Sequence, residues 1–147
     1  MNCQENYYEL IGEIFAYPDT GIKFSQPFNL MKKHITTAEF APTESTRMTL
    51  PMKKKSGSLK ETPSISVNGE SYEVVIPWKI ENVTAQTYAT LDALKSGNYH
   101  FIVNTFGDNR MLVRSTEYAY QMEYKEQDGS LSCELTIQNI CGAQRVL

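Results

Sequence analysis

The sequence predicts a mainly β protein, built as an antiparallel sandwich or as a curled, barrel-like sheet, with one short α-helix at about residues 84–96. Apolar and polar side chains alternate over residues 118–138, as they do in antiparallel strands with one buried and one solvated face. The dipeptide Asn68-Gly69 separates two strand-like segments, and both residues tolerate the positive φ angles of a hairpin turn. We expect about seven to nine strands in a single domain that spans residues 1–147.

The first strand is predicted at residues 7–17, which are rich in aromatic and β-branched side chains. Their alternation is imperfect, and a helix with four apolar residues on one stripe also fits the pattern. Gly12 and the aromatic residues lower the helix propensity of this segment, so a strand is favoured.

Residues 22–63 are predicted to be a long irregular segment, which forms a loop-rich and partly mobile arm or insertion. They contain four of the six prolines, and seven of the fourteen Lys and Arg residues lie between Lys32 and Lys60. Residues 46–52 are a candidate edge strand, while residues 53–63 have the Lys, Ser and Gly composition of a mobile loop.

The hairpin around Asn68-Gly69 is predicted to join strands at residues 64–67 and 70–80. Pro77 lies in the second strand and has no N–H to donate, so this strand is expected at a sheet edge or with a bulge at that point. Every second residue of the second strand is expected on one face, namely Tyr72, Val74, Ile76 and Trp78.

A helix is predicted at residues 84–96, where Thr84 suits the N-cap and Gly97 suits the position just past the C-terminus. A meander of strands follows, and its last two strands are joined by a turn at Asp128-Gly129. These strands are expected at residues 99–105, 110–116, 118–126 and 131–138.

Charge and cysteine content argue against several classes of protein. The formal net charge is −3, whereas a sequence-specific nucleic-acid binder usually carries a basic surface. No apolar run is long enough for a membrane helix, and residues 1–10 lack the basic and apolar regions of a signal peptide. The odd cysteine count is best explained by free thiols in a reducing compartment, at Cys3, Cys133 and Cys141.

No catalytic, cofactor-binding or metal-binding residue is predicted, and the protein is not expected to be an enzyme. His34 reads as a loop residue and His100 as the solvent-side residue of a strand, and neither has a Cys or His at ligand spacing. Three of the four aspartates lie beside Gly or Pro in turns, and nucleotide-binding and nucleophile motifs are absent. Cys133 alternates with Leu131 and Leu135, which favours a small core residue over a reactive thiol.

Two groups of residues are candidates for an interface. The first is the basic run Lys53, Lys54 and Lys55, for which a solvated loop is the alternative. The second is the set of alternating tyrosines, which serve either as core residues or as amphipathic anchors of an interface. Its members are Tyr118, Tyr120 and Tyr124.

A helix followed by a meander occupies residues 84–113, TAQTYATLDALKSGNYHFIVNTFGDNRMLV, and residues 117–147, EYAYQMEYKEQDGSLSCELTIQNICGAQRVL. A turn at Gly107 precedes the strand with Leu112 and Val113, Tyr118 or Tyr120 follows, and the last strand begins after Asp128-Gly129. This layout, over about residues 64–147, resembles small β-rich structural proteins of bacteriophage and prophage tails.

The resemblance implies a structural subunit without catalysis or cofactor, which stacks or closes into rings through sheet edges and long loops. Its partners would be copies of itself, other structural proteins, or both, in the bacterial cytoplasm or in a virion. The basic segment would then be an arm that orders on assembly. The alternative is a small β-barrel or sandwich that recognises a protein or small ligand through its loops. An enzyme is the least expected class, because the nucleophile, base and metal signatures are missing.

Overall fold

The computed structural model describes residues 7–18, 34–35, 43–66, 69–95, 99–106, 110–114, 120–139 and 144–146. Their strands form one ten-stranded sheet that curls into a half-barrel, and one short α-helix accompanies it within these residues. The predicted mainly β fold is therefore confirmed. Because every described strand is hydrogen-bonded into the same sheet, the curled form is adopted instead of the sandwich.

The strands are β1 (Tyr7–Pro18), β2 (His34–Ile35), β3 (Met48–Thr49), β4 (Ser58–Ser66), β5 (Gly69–Ile80), β6 (Tyr99–Thr105), β7 (Arg110–Arg114), β8 (Gln121–Gln127), β9 (Ser130–Asn139) and β10 (Gln144–Val146). Helix α1 (Ala85–Leu94) lies between β5 and β6 in the chain, and a 3₁₀ turn occupies Glu44–Thr46. The strand order across the sheet is β2-β10-β7-β6-β1-β4-β5-β9-β8, and β3 pairs with β1.

Ten strands exceed the expected seven to nine, because β2, β3 and β10 are only two or three residues long and carry no readable alternation. Two of them bear on predicted features. His34 lies in β2, which pairs in parallel with β10, so its assignment to a loop was wrong. The candidate edge strand at residues 46–52 is confirmed as the short β3, which pairs with Phe15 and Ala16.

The hairpin of β4 and β5 is present, but β4 is longer than predicted. It begins at Ser58 and not at residue 64, because it is paired along its first half with β1 and along most of its length with β5. Two ladders of backbone hydrogen bonds outweigh the loop-like composition of residues 58–63. Gly69 was predicted in the turn, but it is the first residue of β5 and lies opposite Ser66.

The imperfect alternation of β1 has a structural cause at Gly12. The pairing of β1 with β6 shifts between Ile11 and Glu13, so one residue of β1 is left out of the ladder as a β-bulge. The extra residue reverses the faces, which is why Ile11 before the bulge and Ile14 and Ala16 after it all belong to the core. The predicted strand at residues 7–17 is confirmed.

Strand β6 is buried on both faces, and this overturns the prediction for His100. Phe101 and Val103 lie in the main core, while His100 and Ile102 alternate onto the other face and are only 7% and 0% exposed. Ile102 and its cross-strand neighbour Phe15 are buried on that second face, so it offers no solvent-facing side to His100. Its cross-strand neighbour Tyr17 is buried as well.

Pro77 marks the point where β5 loses its β4 neighbour. The ladder between β4 and β5 extends only to the pair of Lys60 with Val75, and beyond it β9 is the only described strand that pairs with β5. The strand is therefore an edge at Pro77, as predicted, because proline has no N–H for a second ladder. The core face of β5 is confirmed too, since Tyr72, Val74, Ile76 and Trp78 are at most 3% exposed.

Residues 50–57, here called the closing loop, lie beside the part of β5 that follows Val75, where β4 no longer pairs with it. The loop is held to β1 at both ends, where Leu50 N–H donates to Ile14 O at 3.0 Å and Ile11 N–H donates to Gly57 O at 3.1 Å. Residues 22–33 and 36–42 of the predicted arm lie outside the described residues, so its mobility stays a prediction there.

Helix α1 begins with a reciprocal capping box, as the position of Thr84 predicted. Thr87 N–H donates to Thr84 Oγ1 at 3.3 Å, and Thr84 N–H donates to Thr87 Oγ1 at 3.2 Å. These two bonds satisfy backbone donors that a helix N-terminus leaves free. Leu91 and Leu94 are fully buried, so α1 packs into the curl of the sheet, while Gly97 lies outside the described residues.

Candidate assembly edge

Two residues, Asp128 and Gly129, connect β8 to β9 as predicted. Their φ angles of 52° and 80° are the positive values of the tight turns that match the twist of a hairpin. Gln127 and Ser130 flank the turn as a directly opposite pair. In a two-residue hairpin this flanking pair is hydrogen-bonded, and the two kinds of pair then alternate along the ladder. The residues of β8 that exchange hydrogen bonds with β9 are therefore Gln121, Glu123, Lys125 and Gln127.

The side of β8 that faces away from β9 is here called the β8 edge. Met122, Tyr124 and Glu126 form the pairs with β9 that are not hydrogen-bonded, so their backbone N–H and C=O groups point outward at this edge. β8 is the last strand of the sheet, and no other strand in the described part of the chain pairs with it. A row of outward donors and acceptors is a template for the addition of a further strand.

Charged side chains follow the outer face of β8, which is the face turned away from the core. Gln121, Glu123 and Lys125 are all exposed there. Glu123 lies directly opposite Glu134 of β9, whereas Lys125 lies opposite the uncharged Ser132. Like charges in opposite positions destabilise a strand pair, so Glu123 is in an unfavourable position within its own chain.

Of the three candidate tyrosines, Tyr124 lies in β8 and Tyr120 directly precedes this strand. Tyr120 is only 5% exposed, its ring meets Phe101 edge-on with centroids 5.0 Å apart, and its hydroxyl donates to Leu94 O. It is a core residue, so its assignment to an interface is corrected. Tyr118 lies outside the described residues.

Tyr124 lies at the border between core and surface, and α1 holds it there. Its hydroxyl donates to Asp92 Oδ1 at 2.8 Å, its ring meets Tyr88 edge-on at 5.8 Å, and Lys95 Nζ lies 4.3 Å from the ring centroid. The hydrogen bond to Asp92 is the main cause that raises the pKa of Tyr124 above 10.0. The hydroxyl therefore stays protonated at neutral pH and continues to link the edge strand to the helix.

A shallow groove of about 360 Å³ borders the same strand. It is lined by Pro77, Lys95, Glu123, Tyr124, Lys125, Ser132, Cys133 and Glu134. Two carboxylates and two ammonium groups in this lining suit polar contact with an extended segment or a small charged ligand.

The basic run Lys53, Lys54 and Lys55 is exposed on a tight turn at the tip of the closing loop. Lys53 N–H donates to Lys79 O at 2.6 Å, and Lys79 N–H donates to Ser56 Oγ at 3.1 Å. Lys53 Nζ also lies 3.0 Å from Glu81 Oε1. The turn is thus bonded to β5 and not to β8, so the structure does not bring these lysines together with Tyr124.

Cys133 is a free thiol that is 1% exposed, which confirms its prediction as a small core residue. It lies in β9 between Trp78 of β5 and Tyr124 of β8. Burial raises the pKa of the Cys133 thiol to about 11. Cys3 and Cys141 lie outside the described residues.

We expect Cys133 of the folded protein to resist iodoacetamide at about pH 8, because the thiolate is the nucleophile and burial disfavours it. Peptide mapping by mass spectrometry, with and without urea, measures this, and equal labelling in both conditions would contradict it.

Between pH 9.0 and about 11, the Cys133 thiol keeps its proton in the folded chain and loses it in the unfolded chain. The contribution of Cys133 to stability is therefore complete below pH 9.0 and declines as the pH rises toward about 11.

The described residues contain no group of three or more His, Cys, Asp or Glu side chains that could hold a metal ion. Asp92 is exposed on α1 and Asp128 is in the hairpin turn, while Asp19 and Asp108 lie outside the described residues. No helix in the described part of the chain is long and apolar enough to span a membrane.

Searches with protein-family models, curated proteins and solved structures find no match to this chain. The resemblance to phage-tail proteins therefore rests on the layout of helix, strands and turns alone.

The sequence singled out Tyr124 of β8, but it did not single out the other residues that the proposed edge uses. Glu123 and Lys125 were assigned to a polar face, and nothing local shows that their strand ends the sheet. The available signal is the run 121-QMEYKEQ-127, in which Glu123 and Lys125 flank Tyr124 and a Gln lies at each end.

Proposed function

We propose that this protein is a non-enzymatic structural subunit that assembles through the β8 edge with copies of itself or with other structural proteins, as a phage-tail component does. The observation that carries the proposal is that, among the described strands, none pairs with the outer side of β8. Seven residues of regular strand have one hydrogen-bonded neighbour among the described strands, and their outward backbone groups are ready for another.

The regular backbone of β8 leaves its outer side ready for a partner strand. Natural edge strands are blunted by proline, by a bulge, by very short length or by charged side chains, especially lysine. β8 has no proline and no bulge, since its pairing with β9 is unbroken from Gln121 to Gln127, and charged side chains are the one such feature that it carries. The two charges on its outer face, Glu123 and Lys125, are of opposite sign and suit a partner strand that carries the complementary pattern.

The test is sedimentation velocity from micromolar to millimolar protein, on the wild type and on the variants Glu126→Pro and Glu126→Ala. Proline at position 126 removes an N–H that points away from β9, so it blocks the β8 edge and spares the hairpin ladder. Alanine at the same position removes the exposed carboxylate and keeps the N–H. We expect wild type and Glu126→Ala to associate as concentration rises, and Glu126→Pro to remain monomeric.

A monomer at every wild-type concentration would overturn the proposal, and so would equal association of the proline and alanine variants. Circular dichroism of Glu126→Pro checks that the sheet is retained. A folded, monomeric proline variant beside an associating alanine variant supports the edge as the site of assembly.

The groove beside β8 favours a second candidate, a module that binds an extended peptide or a small charged ligand. Lys95, Lys125, Glu123 and Glu134 place charges of both signs around it. Such a module would be monomeric alone, so the same sedimentation series separates the two functions.

A further inference from the structure

We infer that the partner at the β8 edge is a second copy of this chain, paired in an antiparallel, two-fold register centred on Tyr124. The inference rests on the proposed function and adds to it the identity of the partner and the alignment of the two strands. It follows from two properties of β8, the direction of its backbone groups and the order of its charges.

The backbone restricts the registers that two β8 strands can adopt. Only Met122, Tyr124 and Glu126 present N–H and C=O groups at the edge, so hydrogen-bonded pairs must be formed among these three residues and their copies. A two-fold antiparallel pair that forms at least two of these pairs has its centre at Glu123, Tyr124 or Lys125. The register centred on Tyr124 uses all three outward residues of each chain, because Met122 pairs with Glu126 of the partner subunit and Tyr124 pairs with its own copy.

The charges select one of these three registers. A centre at Glu123 places two carboxylates directly opposite each other, and a centre at Lys125 does the same with two ammonium groups. With the centre at Tyr124, Glu123 faces Lys125 of the partner subunit, and this pair occurs twice. Both pairs fall at positions that are not hydrogen-bonded, where opposite residues approach most closely. Gln121 faces Gln127 of the partner subunit, so no like charges meet.

The same register compensates for the repulsion that Glu123 meets within its own chain. Glu123 faces Glu134 on the β9 side, and the partner's Lys125 supplies a cation on its other side. The charge at position 123 therefore affects folding and assembly in opposite directions. A lysine there improves the pairing with Glu134 and weakens the pairing with the partner subunit. A residue with a purely structural role would not show both effects.

The experiment uses three charge variants of the full chain, Glu123→Lys, Lys125→Glu and the double exchange, by sedimentation and native mass spectrometry at low salt, where charge pairs are least screened. Each single variant places like charges at both pairs, so we expect self-association weaker by about tenfold or more. An equimolar mixture of the two single variants restores a lysine opposite every glutamate, so heterodimers are expected at wild-type strength. The double exchange restores both pairs within one chain and is expected to self-associate like the wild type.

The outcomes separate this inference from the proposed function. If Glu126→Pro abolishes association while the charge variants associate like the wild type, the edge stands and the register is wrong. If the mixture of single variants forms no heterodimer, the inference is overturned as well. Thermal unfolding of Glu123→Lys at or above the wild-type temperature shows that weaker association does not come from a damaged fold. If Glu126→Pro associates as strongly as the wild type, the β8 edge is not the site of assembly, and the proposed register is wrong as well.

Discussion

Replacement of Trp78 with alanine is expected to lower the free energy of unfolding by about 3–5 kcal/mol. The side chain is 1% exposed in the middle of the core, and its Nε1–H donates to Pro51 O of the closing loop at 3.1 Å. Alanine removes the largest buried side chain and leaves a void, and it also removes the hydrogen bond that holds the loop over β5. Trp78 is the only tryptophan, so urea unfolding is followed by far-ultraviolet circular dichroism instead of fluorescence.

Two further variants show how much of the lost stability comes from the core and how much from the bond to the closing loop. Lys79→Ala truncates the exposed neighbour of Trp78 and keeps the backbone bonds of residue 79, so a change within about 0.5 kcal/mol is expected. Trp78→Phe keeps most of the buried ring and removes the bond to Pro51, so an intermediate loss of about 1–2 kcal/mol is expected. A loss below about 1 kcal/mol for Trp78→Ala would show that the core does not depend on this residue as the structure indicates.

Replacement of Gly57 with alanine is expected to destabilise the protein by about 1–3 kcal/mol, because the closing loop leaves no space for a Cβ atom. A Cβ at this position lies 2.7 Å from Ile11 Cγ1 and 2.9 Å from Met52 Sδ. Either the loop or β1 must shift to relieve these contacts, and the bond from Ile11 N–H to Gly57 O links the two. Chemical denaturation gives the change in free energy.

The chain offers a matched control for this substitution at the bulge of β1. A Cβ at the exposed Gly12 comes no closer than 3.5 Å to any neighbour, the nearest being Phe106, so Gly12→Ala is expected to change stability by less than about 0.5 kcal/mol. In the Ile11→Ala background the closest contact at Gly57 is removed and only Met52 Sδ still crowds the new Cβ, so Gly57→Ala is expected to cost less than it does alone. Additive effects of Ile11→Ala and Gly57→Ala would contradict the proposed clash.

The sequence by itself determined the parts of this protein that depend on neighbouring residues. The turn at Asp128-Gly129 follows from two residues that accept positive φ, the start of α1 follows from the side chain of Thr84, and the core face of β5 follows from the period of two. Each is a local property, since a turn, a cap or a strand face involves residues only a few positions apart. Tyr124 was selected in the same way, as one member of an alternating stripe.

Tertiary structure alone decided which strands are central and which end the sheet, because pairing between distant strands depends on the burial of the whole chain. β6 became a central strand with both faces buried, so His100 is buried although its position alternates like that of a surface residue. β4 acquired two neighbours, so residues with a loop-like composition became strand from Ser58 onward. β8 ended the sheet, and only that position turns the ordinary polar pattern of Glu123 and Lys125 into a surface suited to a second chain.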